Sequence, residues 1–117
     1  RFSDLSTAAR VAAVNGLAGS IRSAAAIAKA TQLAKGLTSA QDVTLDGTVV
    51  QMQAGYPMAE TISTALTDTA GFTPTMLAGN GSINFALGGR ANCHVNYVEG
   101  VVATGAVYTV TVTSSGC

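Results

Sequence analysis

The sequence predicts an α+β fold: one long N-terminal α-helix packed on an antiparallel β-sheet, closed by a C-terminal disulfide loop. Three observations carry that prediction. Residues 1–35 contain no proline and repeat their apolar positions every three or four residues. Three runs after residue 82 alternate apolar and polar residues, as half-buried strands do. The only two cysteines, Cys93 and Cys117, bracket the last part of the chain.

With 117 residues and 11.6 kDa the chain is long enough for one domain with a modest core. Its predicted parts are a helix at 1–35, a loop-rich insert with a hairpin and a short helix at 36–81, and strands at 82–117. Hydrophobic residues make up 48% and charged ones only 10%, and six basic residues balance six acidic ones. The basic residues are scattered singly, so no footprint for nucleic acid exists, and no specific nucleic-acid partner is expected. No unbroken apolar run approaches the roughly 20 residues that cross a bilayer, and no signal peptide is visible. The chain begins at Arg1 and reads as a fragment or processed product with a segment missing upstream.

The helix has two stripes. Val14, Leu17, Ile21, Ala25 and Ala28, with Ala18 and Ala24 alongside, form a stripe expected to face the sheet. Arg10 lies on the same line one turn earlier, so the first three turns are expected to project beyond the domain. The second stripe is Leu5, Ala9, Ala12, Gly16, Gly19, Ser23, Ala26 and Ala30. Nearly all its members are small, and small residues at this spacing let another backbone approach closely. Helix propensity alone explains the alanines. It does not explain Gly16 and Gly19, which mark either a packing surface or a bend. Lys35 followed by Gly36 is a good stop signal. The start is poorly signalled, with no cap before Phe2.

After Gly36 the period changes. "VTLDGTVVQM" (43–52) places Asp46-Gly47 between β-branched runs, a strong hairpin signal, and "GYP" (55–57) ends the strand. "MAETISTALTDTA" (58–70) has Met58, Ile62, Ala65 and Leu66 at helical spacing and reads as a short helix. "GFTPT" and "AGNGS" read as loops. In the three alternating runs Ile83, Phe85 and Leu87 share a face, as do Cys93, Val95 and Tyr97, and Tyr108, Val110 and Val112. Asn84, His94, Asn96, Thr109 and Thr111 fall on the other, solvated face.

Cys93 and Cys117 close a loop of about 25 residues, for which the chain-entropy estimate is about 3.5 kcal/mol. The alternative is two free buried thiols, but a Cys next to Ser-Ser-Gly has no core to hide in. A disulfide places the protein in an oxidising compartment.

No catalytic constellation emerges. His94 follows Cys93 directly, yet neighbours on a strand point to opposite faces, so a Cys–His nucleophile pair is disfavoured. Asp42 and Asp46 flank the hairpin and could touch a calcium ion, but such cages need more oxygen ligands. "GNGS" and "LGGR" are glycine-rich without the strand–loop–helix context of a phosphate site. Asn80-Gly81-Ser82 matches a short glycosylation pattern that arises readily by chance. Phe2, Tyr56, Phe72, Phe85, Tyr97 and Tyr108 are spread along the sequence and predict neither a stacking platform nor an electron relay. The expectation is a non-enzyme with no cofactor and no metal.

This combination resembles the soluble part of a bacterial type IV pilin. "RFSDLSTAARVAAVNGLAGSIRSAAAIAKA" (1–30) resembles the amphipathic half of the pilin helix just past an Ala-Leu-Pro-Arg-Phe junction, whose proline would immediately precede Arg1. "GYP" (55–57), "CHVNY" (93–97) and "SSGC" (114–117) resemble pilins of the mannose-sensitive haemagglutinin type. The resemblance implies the pilin α/β roll and a role as structural subunit of a type IV pilus, serving adhesion, twitching motility or DNA uptake. It implies an upstream apolar half-helix that anchors the subunit in the inner membrane before assembly and then forms the filament core. Cleavage and N-terminal methylation by a prepilin peptidase follow from the same resemblance. So do a location on the cell surface, self-assembly through the N-terminal helix, surface or host ligands, and an exposed segment at 93–117 closed by its disulfide. Two rivals remain: a type II secretion pseudopilin, and a small periplasmic ligand-binding or enzymatic domain, which would need convergent polar groups in a pocket.

Overall fold

The structure, a computed structural model, describes residues 6–77, 79 and 81–117. Helix α1 (Thr7–Ala34) runs unbroken for 28 residues through both glycines. Its start is better signalled than expected, because Ser6 caps it: the Ser6 side chain accepts from the Ala9 N–H at 3.2 Å. Its end is a Schellman motif. Gly36 adopts φ 67°, its N–H reaches the Leu33 carbonyl at 3.1 Å, and the Leu37 N–H reaches the Gln32 carbonyl at 3.0 Å. Glycine suits that left-handed position because it carries no Cβ.

Strands β1 (Val43–Leu45) and β2 (Thr48–Val50) form the hairpin signalled by Asp46-Gly47, both at positive φ. A second hairpin follows, where the sequence suggested only the end of a strand. Here β3 (Met52–Gln53) pairs with β4 (Tyr56–Pro57) across Ala54-Gly55, again both at positive φ. An alanine in that conformation is unusual, which hides the turn from pattern reading.

The expected helix at 58–70 shrinks to a 3-10 turn, Ile62–Ala65. Its threonines bond elsewhere. Thr61 Oγ1 accepts from the Gln51 N–H at 2.9 Å, and Thr64 Oγ1 donates to the Thr61 carbonyl at 2.7 Å. Such local bonds compete with helix propagation. "GFTPT" is not loop either. Phe72–Met76 is strand β5, the edge of a four-stranded sheet. Pro74 demotes that run in a sequence reading, but an edge strand tolerates a missing N–H.

The main sheet has order β5-β6-β7-β8, all antiparallel, with β6 at Ser82–Leu87, β7 at His94–Val98 and β8 at Thr109–Thr113. Its inner face carries Ile83, Phe85, Leu87, Cys93, Val95 and Tyr97, all buried, with Val110 and Val112 half-buried. Val14, Leu17, Ala18 and Ile21 of α1 pack against them, and Ala59 and Ile62 close the cluster. A smaller cluster joins Ala28 near the other end of α1 to Val43, Val50 and Met52. One long helix therefore spans two cores.

By length and composition α1 is also long and apolar enough to cross a membrane, although polar residues interrupt its apolar ones. A core helix of a soluble protein meets the same criterion, and here one stripe of α1 lies against the sheet.

Candidate functional site

The stripe predicted to face the sheet is buried: Val14, Leu17, Ile21, Ala25 and Ala28, together with Ala18, Ala24 and Gln32. Gln32 is the buried polar residue among them, and its amide donates to the Gln41 carbonyl at 2.8 Å. The small-residue stripe lies on the opposite side. Ala12, Gly16, Gly19, Ser23, Ala26 and Ala30 are exposed and Ala9 is half-buried, while Leu5 lies outside the described residues.

Gly16, Gly19, Ser20, Ser23 and Ile27 form one wall of a shallow groove of about 500 Å³, with Ala65 to Thr67 as the other wall. The groove continues past Ile27 toward Thr31, Lys35 and the β1–β2 hairpin tip. Ile27 and Leu33 stand 58% and 64% exposed on this helix, high for large apolar side chains. A Cβ built on Gly16 or Gly19 would meet nothing within 4 Å. No side chain among the described residues packs against either glycine at that point, and the helix stays continuous through both.

The second candidate region is the stapled C-terminal segment. Cys93 and Cys117 form a disulfide with Cα atoms 4.8 Å apart, and both residues are buried. The surrounding backbone holds the same closure. The Gly116 N–H donates to the Asn92 carbonyl at 2.8 Å, and Arg90 Nε donates to the Gly116 carbonyl at 3.3 Å. Only glycine fits at 116, since a Cβ there would sit 2.1 Å from the Ala91 carbonyl oxygen. Arg10 completes the clamp by donating from Nε to the Cys117 main-chain oxygen. The first turns of α1 therefore do not simply project. Arg10 binds the C-terminal segment, and Val11 and Ala13 pack on the main cluster.

Between β7 and β8 the segment carries an apolar bulge. Val101, Val102 and Val107 are 43%, 68% and 58% exposed around a short 3-10 turn, Val102–Thr104.

The aromatic residues are less scattered than the sequence suggests. Tyr56 and Tyr108 meet edge to face with centroids 4.9 Å apart, and Tyr97 stacks on Tyr108 at 5.5 Å. Lys29 Nζ lies 4.7 Å from the Tyr56 ring centroid. The Tyr97 hydroxyl donates to the Pro57 carbonyl. Burial, with Tyr108, Glu99 and Tyr56 nearby, holds that hydroxyl well above its ordinary pKa of 10.0. The cluster ties α1, β4, β7 and the lead-in to β8 together. Its members are far apart in sequence, so no local pattern could reveal it.

His94 sits half-buried on the outer face, paired with Ala86 and Thr113, while Cys93 is buried in the disulfide. Asp42 accepts from the Met52 N–H at 3.4 Å, and Glu99 from the Ala59 N–H at 2.8 Å. Among the described residues no three His, Cys, Asp or Glu side chains gather in a metal-binding group. Asn80, of the glycosylation pattern, lies outside the described residues. No family model, curated protein or solved structure matches the chain.

Proposed function

We propose that the protein is a non-enzymatic structural subunit of a cell-surface filament of the type IV pilus kind, assembled through the exposed face of α1. One observation carries the reading: Gly16 and Gly19 are open on the side of α1 away from the sheet. Each costs about 1 kcal/mol relative to alanine in a helix. No packing among the described residues offsets that cost, so a partner that needs close backbone approach is the physical reason to keep them. The exposed Ile27 beside them would supply apolar area to the same contact. The disulfide suits a subunit outside the cell, where thiols oxidise and terminal strands meet proteases.

The test replaces Gly16, Gly19 or Ala26 by Leu in the full-length protein. Filaments seen by electron microscopy should disappear. The separately expressed chain should keep its far-UV spectrum and melt no lower than the wild type, because a Cβ at Gly16 or Gly19 meets nothing within 4 Å and Ala26 is exposed. Normal filaments from the leucine variants would overturn the reading.

A further inference from the structure

The two edges of the main sheet are not equivalent. One edge is β5, interrupted by Pro74, which cannot donate to a further strand. The other edge is β8, with sequence Thr-Val-Thr-Val-Thr. It has none of the usual guards of an edge. Residues 108–116 contain no charge and no proline. Beyond the ladder to β7, no hydrogen bond to the β8 backbone occurs among the described residues. Thr109 and Thr111 are exposed.

We propose that β8 pairs edge to edge, antiparallel, with β8 of a second copy of this chain, about a two-fold axis through Thr111. The strand's own symmetry selects a second copy over a foreign strand. Thr109–Thr113 reads identically in both directions. Antiparallel pairing centred on Thr111 sets Thr109 against Thr113 of the second copy, Val110 against Val112, and Thr111 against Thr111. The inner positions then meet valine to valine and the outer ones threonine to threonine, both favourable cross-strand pairs on a β-branched edge. The same surface on both partners gives a closed, isologous contact. Pairing with β5 instead would meet Pro74 at the middle of the strand. The product is a continuous eight-stranded sheet, four strands from each copy. The contact is small, so association belongs at high concentration or where copies are held side by side. It uses no residue of the small-residue stripe on α1, and it stands or falls apart from the filament reading.

The experiment is sedimentation equilibrium of the chain from micromolar to millimolar concentration, with amide exchange measured across the same range. The expected result is a monomer–dimer equilibrium, with exchange slowing with concentration at alternate residues of β8. Thr111→Lys and Thr111→Glu should each weaken association at least about fivefold, because like charges then face each other at the axis. An equimolar mixture of the two variants should dimerise again. A wild-type chain that stays monomeric throughout overturns the proposal, even if it captures a synthetic Thr-Val-Thr-Val-Thr peptide, since the edge would then take a foreign strand. Dimers that survive Thr111→Lys, protection that grows elsewhere than β8, or a mixture that fails to associate would each overturn it too.

Discussion

The two ends of α1 rest on different kinds of core. The N-terminal half packs on the four-stranded sheet, around Phe85, Tyr97 and a disulfide. The C-terminal half packs on two small hairpins through Ala28, Val43, Val50 and Met52. The first core is built from residues distant in sequence and is covalently closed. The second is more local and carries no cross-link; its hairpins turn at Asp46-Gly47 and Ala54-Gly55 and are held by hydrogen bonds such as Gln32 to Gln41 and Met52 to Asp42. The difference teaches where the molecule should open first. Regions with few buried apolar contacts and no cross-link sit at the low end of local stability.

Truncation gives the largest contrast. Phe85→Ala should cost about 3–5 kcal/mol, because a fully buried ring leaves a cavity in the main cluster. Val50→Ala, equally buried but in the small cluster, should cost about 2 kcal/mol. Denaturant titration of both variants checks the ranking, and a Val50→Ala loss as large as that of Phe85→Ala would mean that the small cluster is packed at least as tightly as the main one. The staple falls between these two truncations. Cys117→Ser, or reduction of the native chain, should lower stability by about 3.5 kcal/mol. Amide exchange should quicken in β7 and β8 while the β1–β2 hairpin is least affected. Uniform quickening would erase the distinction between the two regions. The smallest effect has the opposite sign. Gly16→Ala should raise stability by about 1 kcal/mol, since the new methyl enters open space in an ordinary helical residue. A destabilised Gly16→Ala chain would mean that Gly16 serves the fold of the single chain.

The core-facing stripe of α1, the Asp46-Gly47 hairpin and strands β6 to β8 were legible because each obeys a short-range rule. The stripe has period 3.6, the hairpin its turn dipeptide, and the strands their alternation. The cysteine pair was legible because two cysteines allow one pairing. What escaped was decided by exceptions or by distance. Pro74 in β5 looked like a breaker and is an edge residue. Ala54 turns where glycine or asparagine would be expected. The Tyr56–Tyr108–Tyr97 cluster and the Arg10–Cys117 contact exist only once the chain is folded. The candidate surface on α1 was visible as a row of small residues, but its groove depends on Ala65 to Thr67, placed there by a turn that pattern reading took for a helix.

The clamp around Cys117 has a mechanical corollary. The Arg10 contact and the disulfide link the first turns of α1 to Cys93 through Cys117. The 24-residue span between the two cysteines is short-circuited, its ends fixed 4.8 Å apart. A fully stretched oxidised chain is therefore shorter by roughly 80 Å than a reduced one. Strand β8 and the valine bulge before it lie inside the covalent loop, so extension that leaves the disulfide intact does not draw them out.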